Sequence, residues 1–132
     1  MSETNKALVR KYYKEVMGDL SGIAEVVAPT FVDHHFPPGL PRGPAGVRQF
    51  FAAMRDIFSH MKIGIEFMLA EGDKVDCHFT FTAKHTGEFA GLKPKGNAIR
   101  LPAIATFRIQ KRKLAEAWEI FDSGSLIKQM KA

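Results

Sequence analysis

The stretch Cys77-His78-Phe79-Thr80-Phe81-Thr82-Ala83-Lys84-His85 alternates apolar and polar side chains up to its closing histidine. Side chains along a strand point to opposite faces in turn, so Cys77, Phe79, Phe81, Ala83 and His85 share one side. The same period of two precedes it in Ile63, Ile65, Phe67 and Leu69, with Glu71-Gly72-Asp73-Lys74 as the intervening turn. Further along, a glycine-rich loop from Gly87 to Gly96 leads to a strand predicted from about Ala98 to Gln110. The charged turn Lys111-Arg112-Lys113 leads to a last strand, from about Leu114 to Asp122. Strands joined by short turns make an antiparallel sheet, and its apolar face needs a cover.

The cover lies upstream of Met61, where the period is 3.6. Leu8, Val9, Tyr12, Tyr13, Val16 and Met17 form one apolar face, between Thr4 as helix cap and Gly18 as stop. Asp19 is placed to cap a shorter second helix running to about Val27, which Pro29 ends. Phe31-Val32-Asp33-His34-His35 reads as a short strand before the rigid loop from Phe36 to Gly43. Pro44 suits the first position of a third helix, whose Val47, Phe50, Phe51, Met54, Ile57 and Phe58 share a face. The expectation is an α+β fold: a cone-shaped, barrel-like body with three N-terminal helices packed in a strongly curved antiparallel sheet. The open end of such a cone is a pocket for a small molecule.

A chain of 132 residues, 45% apolar and with 11 Phe, predicts one domain over residues 1–132 with an aromatic core. Cys77 is the single cysteine, which excludes an intrachain disulfide and a cysteine-based metal cluster. Met1 to Lys6 lacks the apolar core of a signal peptide, and no apolar run is long enough to span a bilayer. A soluble, cytoplasmic protein with no membrane partner is expected. The net charge of +5 is scattered and no phosphate-binding or nucleic-acid motif accompanies it, so no nucleic-acid partner is expected. His34 and His35 are adjacent on a strand and diverge, so no metal site is expected. There is no Gly-x-Ser-x-Gly elbow, which leaves cofactor-free acid/base chemistry as the expected class.

The chemistry centres on Ala117-Trp118-Glu119-Ile120-Phe121-Asp122. Glu116, Trp118, Ile120 and Asp122 share one side of this strand. If that side faces the core, Asp122 sits beside an indole in an apolar setting that raises a carboxyl pKa toward the range useful for proton transfer. Ala115, Ala117 and Phe121 make the other side apolar too, and Asp122 also suits a cap on Ser123-Gly124-Ser125, so phase alone leaves both readings open. His85 is either a satisfied core residue or a pocket imidazole, and only one of His34 and His35 can line the pocket. Tyr12 and Tyr13 either pack in the core or reach a substrate oxygen with a phenol.

Four motifs, Phe31-Val32-Asp33-His34-His35, Gly46-Val47-Arg48-Gln49-Phe50-Phe51, His85-Thr86-Gly87-Glu88-Phe89 and Glu116-x-Trp118-x-x-x-Asp122, together resemble the SnoaL-like polyketide cyclase family. The resemblance runs from about Asn5 to Gln129. It implies the cone-shaped fold shared with ketosteroid isomerase and nuclear transport factor 2. It also implies an Asp at the end of the last strand acting as acid/base in an intramolecular aldol condensation, with no metal or organic cofactor. Asp122 matches that position. The histidine such cyclases carry in the penultimate strand has no counterpart in Leu101-Pro102-Ala103-Ile104-Ala105-Thr106-Phe107-Arg108. The expected protein is a cyclase-like enzyme acting on a small, apolar carbonyl compound, with isomerase or dehydratase chemistry equally compatible. Asp122 and His85 are its expected catalytic pair, with a His34 or His35 imidazole as another donor. Trp118, His34, His35, Tyr13 and Phe51 are expected to contact the substrate. A homodimer through the outer sheet face, including Thr80, Thr82 and Ile104, is the expected assembly. The alternative is a non-catalytic module of the same fold that binds a small ligand or dimerises.

Overall fold

The computed structural model describes residues 2–132. Helix α1, Ser2–Met17, buries Val9, Tyr12, Tyr13 and Val16 on the face its spacing predicts. At its end the Lys14 and Glu15 carbonyls accept from the Gly18 and Leu20 N–H groups, and one guanidinium nitrogen of Arg55 donates to Val16 O at 3.0 Å and also to Gly18 O just beyond the helix. Helix α2 is only Ile23–Val26, shorter than expected. Asp19 does not cap it but accepts from Ser21 N at 3.0 Å, while Glu15 Oε1 accepts from Gly22 N at 2.7 Å. Strand β1, Val27–Asp33, therefore starts earlier than expected and contains Pro29. Proline is tolerated there because β1 lies at a sheet edge.

Helix α3 spans Pro44–Ile57. The chain turns into it at Gly43, whose φ of 78° is in the left-handed region. An added Cβ would lie 2.4 Å from Pro29 O, so only glycine fits there. Strands β2 (Phe58–Glu71), β3 (Lys74–His85), β4 (Ala98–Gln110) and β5 (Lys113–Phe121) then follow. Lys111 and Arg112 both take positive φ, 52° and 63°, the geometry that matches a two-residue hairpin turn to strand twist.

The sheet order is β1-β5-β4-β3-β2. β2 to β5 are antiparallel neighbours, but β1 pairs parallel with β5, so the sheet is curved and mixed rather than wholly antiparallel. No hairpin joins β1 to β5; α3 and three strands intervene in the chain, so turn geometry does not dictate their direction. A register shift between Ile65 and Phe67 corrects another expectation: Phe67 and Leu69 turn outward and Met68 inward.

The tail expected after Asp122 is a fourth helix, α4, Ser123–Lys131. Leu126 and Met130 pack on Phe58, Ile99 and Leu101. Asn97 Nδ2 donates to the carbonyls of Gln129 (3.1 Å) and Ala132 (2.8 Å), and Gln129 bonds both the N–H and the carbonyl of Arg100. The main core lies between α1 and the inner sheet face, where the Tyr12 ring meets Phe107 at 5.4 Å and Tyr13 meets Phe79 at 5.2 Å. No described helix is long and apolar enough to cross a membrane.

Candidate functional site

A cavity of about 530 Å³ opens between the inner sheet face, α1, α3 and the Phe36-Pro37 segment. Its walls are mostly aromatic and aliphatic, with Phe50, Phe51, Phe81 and Phe121 among them. Against that background the polar groups stand out: Asp33 and Glu119 on neighbouring strands, Tyr12 and Tyr13 on α1, and His35, with Arg55, Ser59 and His60 along β2 and α3.

Register explains how Glu119 arrives there. Ala117, Glu119 and Phe121 of β5 pair with Phe107, Ala105 and Ala103 of β4, which are buried on the inner face. Trp118 and Ile120 pair with Thr106 and Ile104 and face outward, 37% and 76% exposed. The side that carries Glu116, Trp118 and Ile120 is thus the outer one, so the condition for setting Asp122 beside a buried indole is not met. The β4 alanines have short side chains and leave room for a carboxyl and a benzyl group opposite. Asp33 comes beside them because it pairs with Ala117, two residues before Glu119 on the same face.

Burial pushes the Glu119 carboxyl up to about 7, with the charge of Asp33 adding to the effect. Asp33 is also raised, again by burial first, although the His35 N–H donated to its Oδ1 at 2.8 Å works the other way. Tyr12 and Tyr13 are held well above 10.0 mainly by burial, so both remain phenols and can donate. Neither hydroxyl has a side-chain or backbone hydrogen-bond partner among the described residues, although both rings are buried and line the cavity.

Of the residues singled out in the sequence, Tyr13, His35 and Phe51 line the cavity; Asp122, His34, His85 and Trp118 do not. Asp122 is exposed and caps α4, its Oδ1 accepting from Ser125 N at 3.0 Å. His34 lies outside, with Nε2 2.6 Å from Glu116 Oε2 and its ring stacked on Trp118 at 5.3 Å. Glu116 also accepts from Arg108 Nε at 2.8 Å, and this bond, followed by that to His34, lowers its carboxyl pKa. His85 is fully buried near Phe58, and neither ring nitrogen has a hydrogen-bond partner among the described residues. Among these residues no group of three or more His, Cys, Asp or Glu converges as metal ligands would. Asp33 and Glu119 escaped the reading of the sequence. Asp33 shares its phase with buried Phe31, a signal that could have found it; Glu119 lies on a strand apolar on both sides.

None of the curated proteins compared with the chain matches it. Solved structures do. IdmH from Streptomyces antibioticus, provisionally described as a polyketide cyclase, is 23% identical with TM-score 0.83, covering 97% of this chain and 99% of its own. A protein of Bacillus cereus with the same provisional description is 26% identical, TM-score 0.81, over 97% of this chain and 80% of that one. AclR from Streptomyces galilaeus, provisionally a hydroxylase, is 22% identical, TM-score 0.81, over 99% and 83%. The fold is common to all three, while the chemistry described for AclR differs from that of the other two. The sequence profile of the SnoaL-like polyketide cyclases matches residues 7–130, nearly the whole length, and the chain belongs to that family.

Proposed function

We propose that the protein is a cofactor-independent acid/base enzyme acting on an apolar carbonyl compound, with Glu119 in the role that the family resemblance offers to Asp122. The observation that carries this reading is the Glu119 carboxyl, raised to about 7 inside an aromatic cavity. A group that titrates near neutral pH can both accept and return a proton. Asp122 is exposed, caps α4 and is not among the residues lining that cavity.

The step that fits is removal of a proton α to a carbonyl. Ionised Glu119 takes the proton; as the enolate forms, the phenols of Tyr12 and Tyr13 donate to its oxygen, with no competing protein acceptor to lose. Asp33 keeps the Glu119 proton affinity high, and the apolar walls exclude water from the enolate. Reprotonation at another carbon gives an isomer; attack of the carbanion on a second carbonyl of the same molecule gives a ring, the intramolecular aldol outcome.

The test requires no natural substrate. 2-Tetralone in D₂O with the protein should exchange its α-protons faster than in buffer, followed by NMR. Glu119→Gln should lose at least about 10²-fold of that acceleration, the usual contribution of a positioned acid/base. Exchange equal to buffer, or unaffected by Glu119→Gln, refutes the assignment.

For assembly we propose a homodimer through the outer sheet face. Phe67, His78, Ile104 and Ile120 form one row across four strands, and Phe67, Ile104 and Ile120 are exposed. Leu69 and Trp118 are exposed at the two ends of the next row, across Asp76 and Thr106, and an exposed apolar row of this kind suits a self-complementary contact.

A further inference from the structure

The cavity holds two carboxyl groups and no cation committed to them. Among the described residues neither Asp33 nor Glu119 has a Lys or Arg partner. Arg55 is the one Arg or Lys of the lining; one of its guanidinium nitrogens bonds the carbonyls of Val16 and Gly18, and its charge is not among those acting on either carboxyl. From β2, His60 bonds Ser59 Oγ at 3.1 Å through Nδ1. At the end of β1, His34 is engaged with Glu116 on the outer face. His35 sets its ring edge-on against Phe121 at 4.9 Å and, with His34, acts electrostatically on Asp33. The groups lining the cavity from α1, Tyr12 and Tyr13, are neutral at neutral pH, and the Cys77 thiol on β3, outside the lining, is pushed up to about 12 by burial.

When ionised, the pair places negative charge in a largely aromatic cavity, with only the imidazoles of His35 and His34 acting against Asp33. The two buried phenols open onto it with no hydrogen-bond partner among the described residues, so a bound polar group has waiting partners. Aromatic faces add attraction for a cation and none for an anion. We propose that this cavity selects ligands by charge: it takes a protonated amine carried on an aromatic frame in preference to the neutral counterpart, and it rejects the carboxylate. This deepens the reading of the cavity as the substrate site and rests on it: the amine is a second group on the otherwise apolar frame that carries the carbonyl. A raised Glu119 is consistent with it: a cation beside the carboxyl would favour ionisation and expel the proton.

The experiment compares three probes of one shape, 1-naphthylmethylamine, 1-naphthylmethanol and 1-naphthoate, by isothermal titration calorimetry. At pH 8 the amine should bind at least about tenfold tighter than the alcohol, and the acid should not bind measurably. The amine's advantage should shrink as pH falls from 8 to 6, because Glu119 takes up its proton through about 7 while the amine stays charged. The double variant Asp33→Asn, Glu119→Gln should bind amine and alcohol alike. Equal affinities in the unaltered protein, or binding of the acid as tight as that of the alcohol, overturn the charge selection. The acid/base reading would survive that result if 2-tetralone exchange persisted. Failure of all three probes to bind overturns the charge selection, and loss of tetralone exchange as well would remove the cavity as a substrate site.

Discussion

Replacing Glu119 by Gln keeps the size of the side chain and removes its titration. The carboxyl is raised from an ordinary 4.5 to about 7. At about 1.4 kcal/mol per tenfold change in ionisation, that rise corresponds to a ceiling of about 3 kcal/mol, and to about 2 for a carboxyl facing an open cavity. The sign follows from which state ionises first. Below 4.5 Glu119 is protonated in both the folded and the unfolded chain, and its contribution to the fold is complete. As pH rises, the unfolded chain loses the proton first, and the folded protein gives up stability until the carboxyl has ionised through about 7. Glu119→Gln has no such slope. At pH 8 it should therefore be more stable than the unaltered protein by about 2 kcal/mol relative to their difference at pH 4.5, a relative gain of roughly 8 °C in Tm for a domain of this size. Thermal unfolding followed by circular dichroism at pH 4.5, 6, 7 and 8 reads this slope separately from any pH-independent effect of the amide. Asp33 is present in both proteins, so most of its own titration cancels. A Tm difference that stays constant across that range refutes the buried-carboxyl argument.

Other outcomes separate capping and packing from chemistry. Asp122→Ala should lose about 1 kcal/mol with the N-cap of α4, seen as a lower urea midpoint, yet leave tetralone exchange intact. Trp118→Ala should lower stability by far less than the 3–5 kcal/mol typical of a buried aromatic, because the indole lies on the outer face; an unfolded variant would contradict that placement. Ile104→Asp with Ile120→Asp should convert a dimer to a monomer in light scattering, and a monomeric unaltered protein at micromolar concentration would dispose of the proposed interface.

The order of helices and strands was legible because each period persists for several turns or several residue pairs. Helix α1 and the hairpin strands β3 and β4 came out close to their bounds, since hydrophobic spacing and turn residues agree there. The second helix was over-read because Asp19 serves a local turn through Ser21, a competition that aspartate enters with any nearby N–H. Parallel pairing of β1 with β5 is a long-range matter and leaves no mark on the sequence near either strand. In the site, Tyr13, His35 and Phe51 follow from phase. Glu119 does not, because Trp118 and Ile120 present an apolar surface on the outer face of β5 as convincing as the inner one. The tail after Asp122 opens on Ser123-Gly124-Ser125, which reads as a turn, and the Asp122 cap, packing on Ile99 and Leu101 and the hold of Asn97 on its last carbonyls make it a helix.

Ala103 and Ala105 have a wider significance. They supply the space opposite Glu119 and Phe121, yet contribute no charge and no hydrogen bond from their side chains. Chamber size and proton chemistry are consequently written on different strands. Exchange of Ala103, which faces Phe121, for valine would narrow the interior one register pair away from the carboxyl that Ala105 makes room for. A scaffold with that division of labour can be retuned for smaller or larger guests by single substitutions while its reactive groups are inherited unchanged.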